Sequence, residues 1–161
     1  MKKRVYIDFD GVILDTQTYI TREKENYPDL SWPEYVKIIN WHELIKKSSD
    51  INDAIKILKL LNKKENIYIL TRINSFNEAN EKILFLRSNR IDLPVIITPP
   101  YISKEMVVCP NNGDVLVDDY IENLKTWIIA GGYGILFDNN DIHQEINNIE
   151  KQKNLTFLNR Y

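Results

Sequence analysis

Short apolar runs, rich in β-branched and aromatic residues, recur along the chain and alternate with stretches of helical periodicity. The runs that predict strands cover residues 4–9, 67–70, 95–98, 115–117 and 134–137. Strands that alternate with helices are typical of a parallel sheet covered on both faces. The pattern therefore predicts an α/β fold with a doubly wound parallel sheet.

Apolar positions at helical spacing predict the helices between these strands. One helix is expected over residues 52–61 with Asp50 as its N-cap, and another from a capping box of Ser75 and Glu78 to Arg87. Two more are expected near the C-terminus: one that begins near Ile121 and stops at Gly131 and Gly132, and a surface helix over residues 141–151.

Residues 16–49 interrupt this alternation, because they follow the first strand and carry no strand pattern. Ser31 and Glu34 form a capping box that predicts a helix within this segment. We expect a core domain of residues 1–15 and 50–161, with residues 16–49 as an inserted small helical lobe. The lobe concentrates aromatic side chains, which usually form a core of their own: Tyr19, Tyr27, Trp32, Tyr35 and Trp41.

Composition and charge exclude several classes of protein. The 161 residues include 21 basic and 23 acidic side chains, for a net charge of -2, whereas nucleic-acid-binding domains are usually basic. No nucleic-acid polymer is expected as a partner. No apolar stretch is long enough to span a membrane, and the single cysteine, Cys109, cannot form an internal disulfide. These features favour a cytoplasmic chain with no membrane partner.

Two carboxylates separated by one residue end the first predicted strand. In an extended chain, Asp8 and Asp10 project to the same side while Phe9 points into the core. Gly11 then lets the chain turn and brings backbone N–H groups close to a ligand. Neighbouring carboxylates repel each other unless a cation lies between them or one holds a proton. The pair indicates either a divalent metal site or a nucleophile beside a general acid.

Polar residues also end two other predicted strands. Asp118 and Asp119 end the strand DVLVDD, and Thr71 and Arg72 end the strand IYILTR. In a doubly wound sheet, ligands bind beyond the carboxyl ends of the strands where the strand order reverses. If the Asp118 strand neighbours the first strand there, four carboxylates converge, which suits Mg²⁺.

These motifs resemble those of the haloacid dehalogenase-like (HAD) superfamily, over most of the chain. The sequence DFDGV resembles the first motif of the family, Leu70-Thr71 the second and VLVDD the fourth, and Lys104 best matches the lysine of the third. Asp10 resembles the second aspartate of the family's phosphatases and phosphomutases.

The resemblance implies a Mg²⁺-dependent phosphomonoester phosphatase that acts through an aspartyl-phosphate. It implies Asp8 as nucleophile and Asp10 as general acid and then base. It also implies two sets of binding residues. Mg²⁺ would be held by Asp8, the backbone carbonyl of Asp10, Asp118 and Asp119; phosphate would be held by Thr71, Lys104 and the N–H groups of Gly11 and Arg72.

Residues 118–138 resemble most closely the 5'(3')-deoxyribonucleotidase-like branch, whose small helical cap falls where residues 16–49 lie. That branch stacks cap aromatics on the base, which makes Tyr19, Trp32, Tyr35 and Trp41 candidates for a substrate pocket. A small-molecule phosphomonoester is thus the expected partner, and a nucleoside monophosphate the preferred class. Two alternatives stay open: a phosphatase of a sugar phosphate or other small metabolite, and a non-catalytic phosphate-binding domain of the same fold.

Overall fold

All six strands of the structure form one parallel sheet in the order β3-β2-β1-β4-β5-β6. The structure is a computed structural model that describes residues 3–137, 150–152 and 155–161. The strands are β1 (Val5–Ile7), β2 (Ile67–Arg72), β3 (Val95–Thr98), β4 (Val115–Asp118), β5 (Tyr133–Phe137) and β6 (Glu150–Gln152). The strand order reverses between β1 and β4, which pair directly. The predicted α/β fold with a doubly wound parallel sheet is confirmed.

Alternate residues of each central strand enter two separate cores, one on each face of the sheet. Val5 and Ile7 pack on one face with α4 (Ala54–Leu61) and α5 (Phe76–Ser88). Tyr6 packs on the opposite face with α7 (Ile121–Ile129). Residues of β1 are therefore buried on both sides, as an apolar strand without alternation predicts.

Residues 16–49 contain three helices: α1 (Thr16–Lys24), α2 (Trp32–Ile38) and α3 (Trp41–Lys47). The two ends of this segment are joined, since Asp15 N donates to Ser49 O at 3.0 Å and Ile51 N donates to Ile13 O at 3.1 Å. Trp41 belongs to the same apolar core as β1. The segment therefore leaves and rejoins the sheet at one point and packs against it.

The start of α4 differs from the prediction. The helix expected from residue 52 begins at Ala54, because Asn52 and Asp53 have positive φ angles of 47° and 61°. The N-cap of α4 is therefore Asp53, and the prediction of Asp50 as the N-cap is wrong, although Asp50 accepts from Ile55 N at 3.1 Å. The Ser31–Glu34 capping box is formed as predicted.

The capping box predicted at the start of α5 is only half formed. Ser75 accepts from Glu78 N at 3.1 Å, but the Glu78 carboxylate binds Asn74 N at 2.7 Å and a lysine side chain. The Glu78 carboxylate therefore pairs with a buried lysine instead of accepting from Ser75 N, as a complete capping box would require.

The C-terminal part of the chain is only partly described. α7 ends as predicted, with Gly131 at a φ of +98°. Of the predicted helix over residues 141–151, residues 141–149 lie outside the described residues. Its last two residues lie instead in β6, which pairs in parallel with β5, so the prediction is wrong for them. Pairing with the sheet edge replaces the helix there. A further short helix, α6 (Lys104–Val108), and a 3-10 helix, Leu155–Arg160, complete the described elements.

None of the helices in the described ranges has the length and apolar character needed to cross a membrane.

Replacing Trp127 by alanine is expected to lower the free energy of unfolding by about 3–5 kcal/mol, the usual cost of an aromatic-to-alanine change in a core. Its side chain is fully buried, and its ring packs edge-on to Tyr6 with 5.2 Å between centroids. Urea unfolding measures the change. Ile129→Ala on the same helix is the control, because Ile129 is 86% exposed and should change stability by less than about 0.5 kcal/mol. Equal losses would contradict the packing described.

Candidate active site

Aspartates follow two adjacent strands at the point where the strand order reverses. Asp8 comes directly after β1, Asp118 is the last residue of β4, and Asp119 follows it. Each of the three offers a carboxylate oxygen, and these oxygens lie within 4.8 Å of one another. The pairing of β1 with β4 that the motifs required is therefore present.

Asp10 lies beside this group, but its carboxylate makes other contacts. Oδ1 accepts from the Thr16 hydroxyl at 2.8 Å, and Oδ2 accepts from the Lys82 ammonium at 2.5 Å. About a third of its side chain is exposed, against a tenth for Asp8. Of the four predicted carboxylates, three therefore converge as a group, and the Asp10 side chain faces different partners.

Gly11 is needed at the turn because no side chain fits there. Its φ is +71°, and a Cβ atom would lie 1.9 Å from Oδ2 of Asp119. Its N–H donates to Leu14 O at 2.9 Å. The turn itself uses this donor, and its predicted contact with a phosphoryl oxygen stays a prediction. Gly11 allows Asp119 to approach β1.

Lys104 connects the two strands through their aspartates. Its ammonium lies 2.8 Å from Oδ1 of Asp8 and 2.7 Å from Oδ2 of Asp118, and it is almost fully buried. Burial alone would lower the pKa of Lys104, but the carboxylates of Asp118 and Asp8 outweigh it and raise that pKa. The lysine is therefore charged, and its predicted contact with phosphate stays a prediction.

A second buried lysine, Lys82, was not identified from the sequence. Besides Asp10, its ammonium contacts Oε1 of Glu78 at 2.7 Å and the Thr71 hydroxyl at 3.1 Å. Burial alone would lower the pKa of Lys82, but the charges of Asp10 and Glu78 outweigh it and raise that pKa. Lys82 therefore forms a buried charged network next to the aspartate group.

One signal in the sequence could have revealed Lys82. It lies on the same face of α5 as the buried residues Ala79 and Leu86, three and four positions away. A lysine in an apolar stripe requires a buried partner. Glu78, four residues earlier on the same helix, is such a partner.

Burial and mutual repulsion raise the pKa values of two aspartates. Burial is the larger cause for Asp8, and Asp118 and Asp10 add to it; Lys104 opposes them, and the pKa of Asp8 is about 7. Asp119 is exposed as a residue, but partial burial of its carboxyl beside Asp8 and Asp118 raises its pKa to about 8. Bringing these carboxylates together therefore disfavours their charged forms.

A cavity of about 480 Å³ opens over these groups. Arg72 lines it, and the Nε of Arg72 is buried with no hydrogen-bond partner among the described residues. Thr71 is fully buried and is not one of the residues that line the cavity, so its predicted contact with phosphate stays a prediction. The described lining residues are Asp8, Asp10, Gly11, Thr16, Gln17, Ile20, Trp41, Arg72, Asn74, Glu78, Asp119 and Tyr120.

The aromatic residues of the helical segment divide between two places. Trp41 lines the cavity above the aspartates, and its predicted contact with substrate stays a prediction. Tyr19 and Tyr35 instead line a separate cavity of about 140 Å³, and Trp32 packs against Tyr35 with 5.8 Å between ring centroids. For these three residues the predicted place in the substrate pocket is wrong, because they pack within the helical segment.

The chemistry of the donor set fits a magnesium ion. Asp8, Asp118 and Asp119 offer only oxygen, which Mg²⁺ prefers, and a divalent cation would relieve the repulsion that raises the pKa values of Asp8 and Asp119. The site therefore has the composition and the charge that a hard cation requires.

Comparison with solved structures shows that the fold is HAD-like. A haloacid dehalogenase-like family hydrolase from Streptococcus pneumoniae has 11% identity and a TM-score of 0.64, with 98% of this chain and 97% of that chain covered. A HAD-superfamily hydrolase of subfamily IA from Geobacter sulfurreducens has 16% identity and a TM-score of 0.62, with 96% of each chain covered. YfnB from Bacillus subtilis, solved bound to magnesium, has 15% identity and a TM-score of 0.63, with 98% and 97% covered.

Sequence comparisons add no closer relative. No protein-family model matches the chain, and no curated protein matches it. The structural neighbours are HAD-superfamily hydrolases, and at these identities the likeness establishes the HAD-like fold of the chain.

Magnesium is expected to bind more tightly as the pH rises. Since Asp8 and Asp119 have raised pKa values of about 7 and about 8, binding at pH 6 must displace their protons, and binding at pH 8.5 largely need not. Calorimetric titration should give an affinity at pH 8.5 at least about tenfold higher than at pH 6.

Without the cation, the folded chain favours the protonated forms of Asp8 and Asp119. The stability that these protonated carboxyls contribute is present at low pH and is lost as the pH rises through 7 to 8. Magnesium should therefore raise the melting temperature more at pH 8.5 than at pH 6. A shift of equal size at both pH values would contradict the site.

Replacing Gly11 by alanine should weaken magnesium binding by at least about tenfold, because the new Cβ displaces the Asp119 carboxyl from a metal-ligand set. Gly131→Ala is a matched control. Gly131 also has a positive φ, of +98°, but nothing lies within 4 Å of its added Cβ. Both variants should be destabilised by about 1–2 kcal/mol through backbone strain, and only Gly11→Ala should lose magnesium affinity in calorimetric titration. Equal affinities in the two variants would be inconsistent with this role of Gly11.

Proposed function

We propose that this chain is a magnesium-dependent phosphomonoester phosphatase in which Asp8 is the nucleophile. The observation that carries the proposal is the position of Asp8. It lies between a buried ammonium and two further carboxylates, beside a cavity that also exposes Asp10. A nucleophilic carboxylate, a candidate general acid and a metal-ligand set are thereby present in one place.

The two aspartates of DFDGV divide the reaction between them. A carboxylate oxygen of Asp8 attacks phosphorus, and the bond from phosphorus to the leaving oxygen breaks while Asp10 donates its proton to that oxygen. Water then attacks phosphorus of the aspartyl-phosphate, and Asp10 takes a proton from that water. Asp8 is released as a carboxylate together with inorganic phosphate, so the enzyme returns to its starting state.

Lys104 supports the nucleophile in this scheme. Both hydrogen bonds of Asp8 within the described part of the chain go to Oδ1, from Lys104 Nζ and from Phe9 N at 2.8 Å. They orient the carboxylate and leave Oδ2 for attack. The positive charge of Lys104 favours the ionised form of Asp8 against its burial.

Magnesium would be held by Asp8 and Asp118, with Asp119 as a further ligand and the backbone carbonyl of Asp10 as another. When bound, it supplies positive charge that offsets the repulsion between an anionic nucleophile and a phosphate dianion. Arg72, whose buried Nε has no partner among the described residues, is proposed to donate to a phosphoryl oxygen at the same cavity.

We propose residues 16–49 as a cap over this site, with nucleoside monophosphates as the preferred substrates. Thr16, Gln17 and Ile20 of α1 line one side of the cavity together with Trp41 of α3. Trp41 and the half-exposed Tyr120 supply aromatic surface for a planar base. A sugar phosphate is the second candidate, because three of the four aromatics expected in the pocket lie elsewhere.

Phosphate release from nucleoside monophosphates and sugar phosphates, with and without Mg²⁺, tests the proposal. Asp8→Asn should abolish turnover, by at least about 10³-fold, because it removes the nucleophile. Asp92→Asn is the control, since Asp92 is exposed and far along the chain from every motif.

The outcomes separate the alternatives. Turnover that needs both Mg²⁺ and Asp8 supports the mechanism, and a preference for nucleotides supports the substrate class. Activity on sugar phosphates alone would keep the mechanism and exclude the nucleotidase. Magnesium-dependent phosphate binding without turnover would make the chain a binding domain and contradict the proposed activity.

A further inference from the structure

Asp10, the proposed acid and base, is held by a buried network centred on Lys82, a residue that lies outside the motifs. Lys82 contributes its ammonium to Asp10, Glu78 and Thr71, and it also contacts the backbone carbonyl of Arg72 at 3.1 Å. Its side chain is fully buried, although it sits on a helix whose other face is exposed. The four contacts fix the ammonium between β1, β2 and α5.

Aromatic rings enclose the same ammonium on two further sides. The Phe9 ring centroid lies 5.4 Å from Lys82 Nζ and that of Trp41 lies 5.8 Å away. Trp41 belongs to α3, and His42 of the same helix contacts Glu81 of α5 at 3.0 Å. The helical segment therefore packs directly over the lysine that contacts Asp10. These contacts exclude water from the ammonium and leave it little freedom to move.

The two oxygens of Asp10 have partners of different kinds. An ammonium can only donate, so Oδ2 of Asp10 must accept from Lys82 in every state of the reaction. A hydroxyl can donate or accept, so the Thr16 hydroxyl can serve Oδ1 both when that oxygen is bare and when it carries a proton. The network thus distinguishes the two oxygens.

From this geometry we infer that Lys82 is a positioning residue, which holds Asp10 so that Oδ1 carries the proton delivered to the leaving group. The inference rests on the proposed function and adds a direction to it. Oδ1 lies on the Thr16 side, so the leaving group approaches from α1, where Gln17 and Ile20 line the cavity. Lys82 itself exchanges no proton and forms no bond to phosphorus.

Lys82→Met tests the inference, with two aryl phosphates of similar shape as substrates. A nitrophenolate leaves without a proton, whereas a phenolate needs one, so only phenyl phosphate depends on a well-placed acid. The variant should lower kcat/KM for phenyl phosphate by about 10–100-fold, since acid catalysis contributes about 10²–10⁴-fold and kcat/KM reports only the steps up to formation of the aspartyl-phosphate. For 4-nitrophenyl phosphate, whose leaving group needs no proton, kcat/KM should change by less than about threefold.

A double-mutant comparison separates positioning from a general loss of structure. In an Asp10→Asn background, which has no acid to position, Lys82→Met should lower kcat/KM for phenyl phosphate by less than about threefold further, measured with enzyme in excess. Lys125→Met is the matched control, because Lys125 is an exposed lysine of α7 that pairs with Glu122 of the same helix. It should leave both substrates unaffected.

Removing a buried cation leaves Glu78 unpaired and can prevent folding. If Lys82→Met lacks a cooperative melting transition, the double variant Lys82→Met, Glu78→Gln is assayed in its place. The double variant removes the charge of Glu78 together with that of Lys82. The same selective loss on phenyl phosphate is expected.

Equal losses of kcat/KM on the two esters, or a full further loss of kcat/KM in the Asp10→Asn background, would overturn the role of Lys82 while leaving the phosphatase intact. A wild-type chain that hydrolyses neither ester with Mg²⁺ would overturn the proposed function, and the inference with it.

Discussion

Electrostatic repulsion among carboxylates is the constraint on which the site depends. Five of them meet at the ends of β1, β4 and the start of α5: Asp8, Asp10, Glu78, Asp118 and Asp119. Two buried lysines compensate part of this charge, Lys104 between Asp8 and Asp118 and Lys82 between Asp10 and Glu78. Within the described residues neither lysine pairs with Asp119. The remaining negative charge therefore lies where a divalent cation is proposed to bind.

The sheet makes this concentration of charge possible. Because β1 and β4 are adjacent and parallel, their carboxyl ends lie at the same edge of the sheet. Gly11 has no side chain that would keep Asp119 away from this edge. The apolar cores on both faces of the sheet stabilise the fold and offset the unfavourable repulsion among the carboxylates. Fold and site are therefore linked through one strand, β1, whose buried residues lead directly into DFDGV.

Local pattern was sufficient for β1 to β5 and for the two aspartate pairs, because an apolar run and the polar residues that end it are contiguous in sequence; β6 has no such run. Lys82 could not be assigned in the same way, since its partner Asp10 is 72 residues away and only the packing of α5 on β1 joins them. The positions of the aromatic side chains in residues 16–49 could not be predicted for a related reason. Composition predicts that aromatic side chains such as Tyr19 and Tyr35 are buried, but the packing of the three helices decides which cavity they line.

A crystal structure grown with Mg²⁺ and beryllium fluoride, which mimics a phosphoryl group on a carboxylate, tests the central claim most directly. The expected result is beryllium bonded to an oxygen of Asp8, with magnesium bound to Asp8 and Asp118 and the Lys104 ammonium still in contact with Asp8. Magnesium bound away from these aspartates, or beryllium fluoride bound to any group other than Asp8, would contradict the assignment of Asp8 as the nucleophile of a phosphatase.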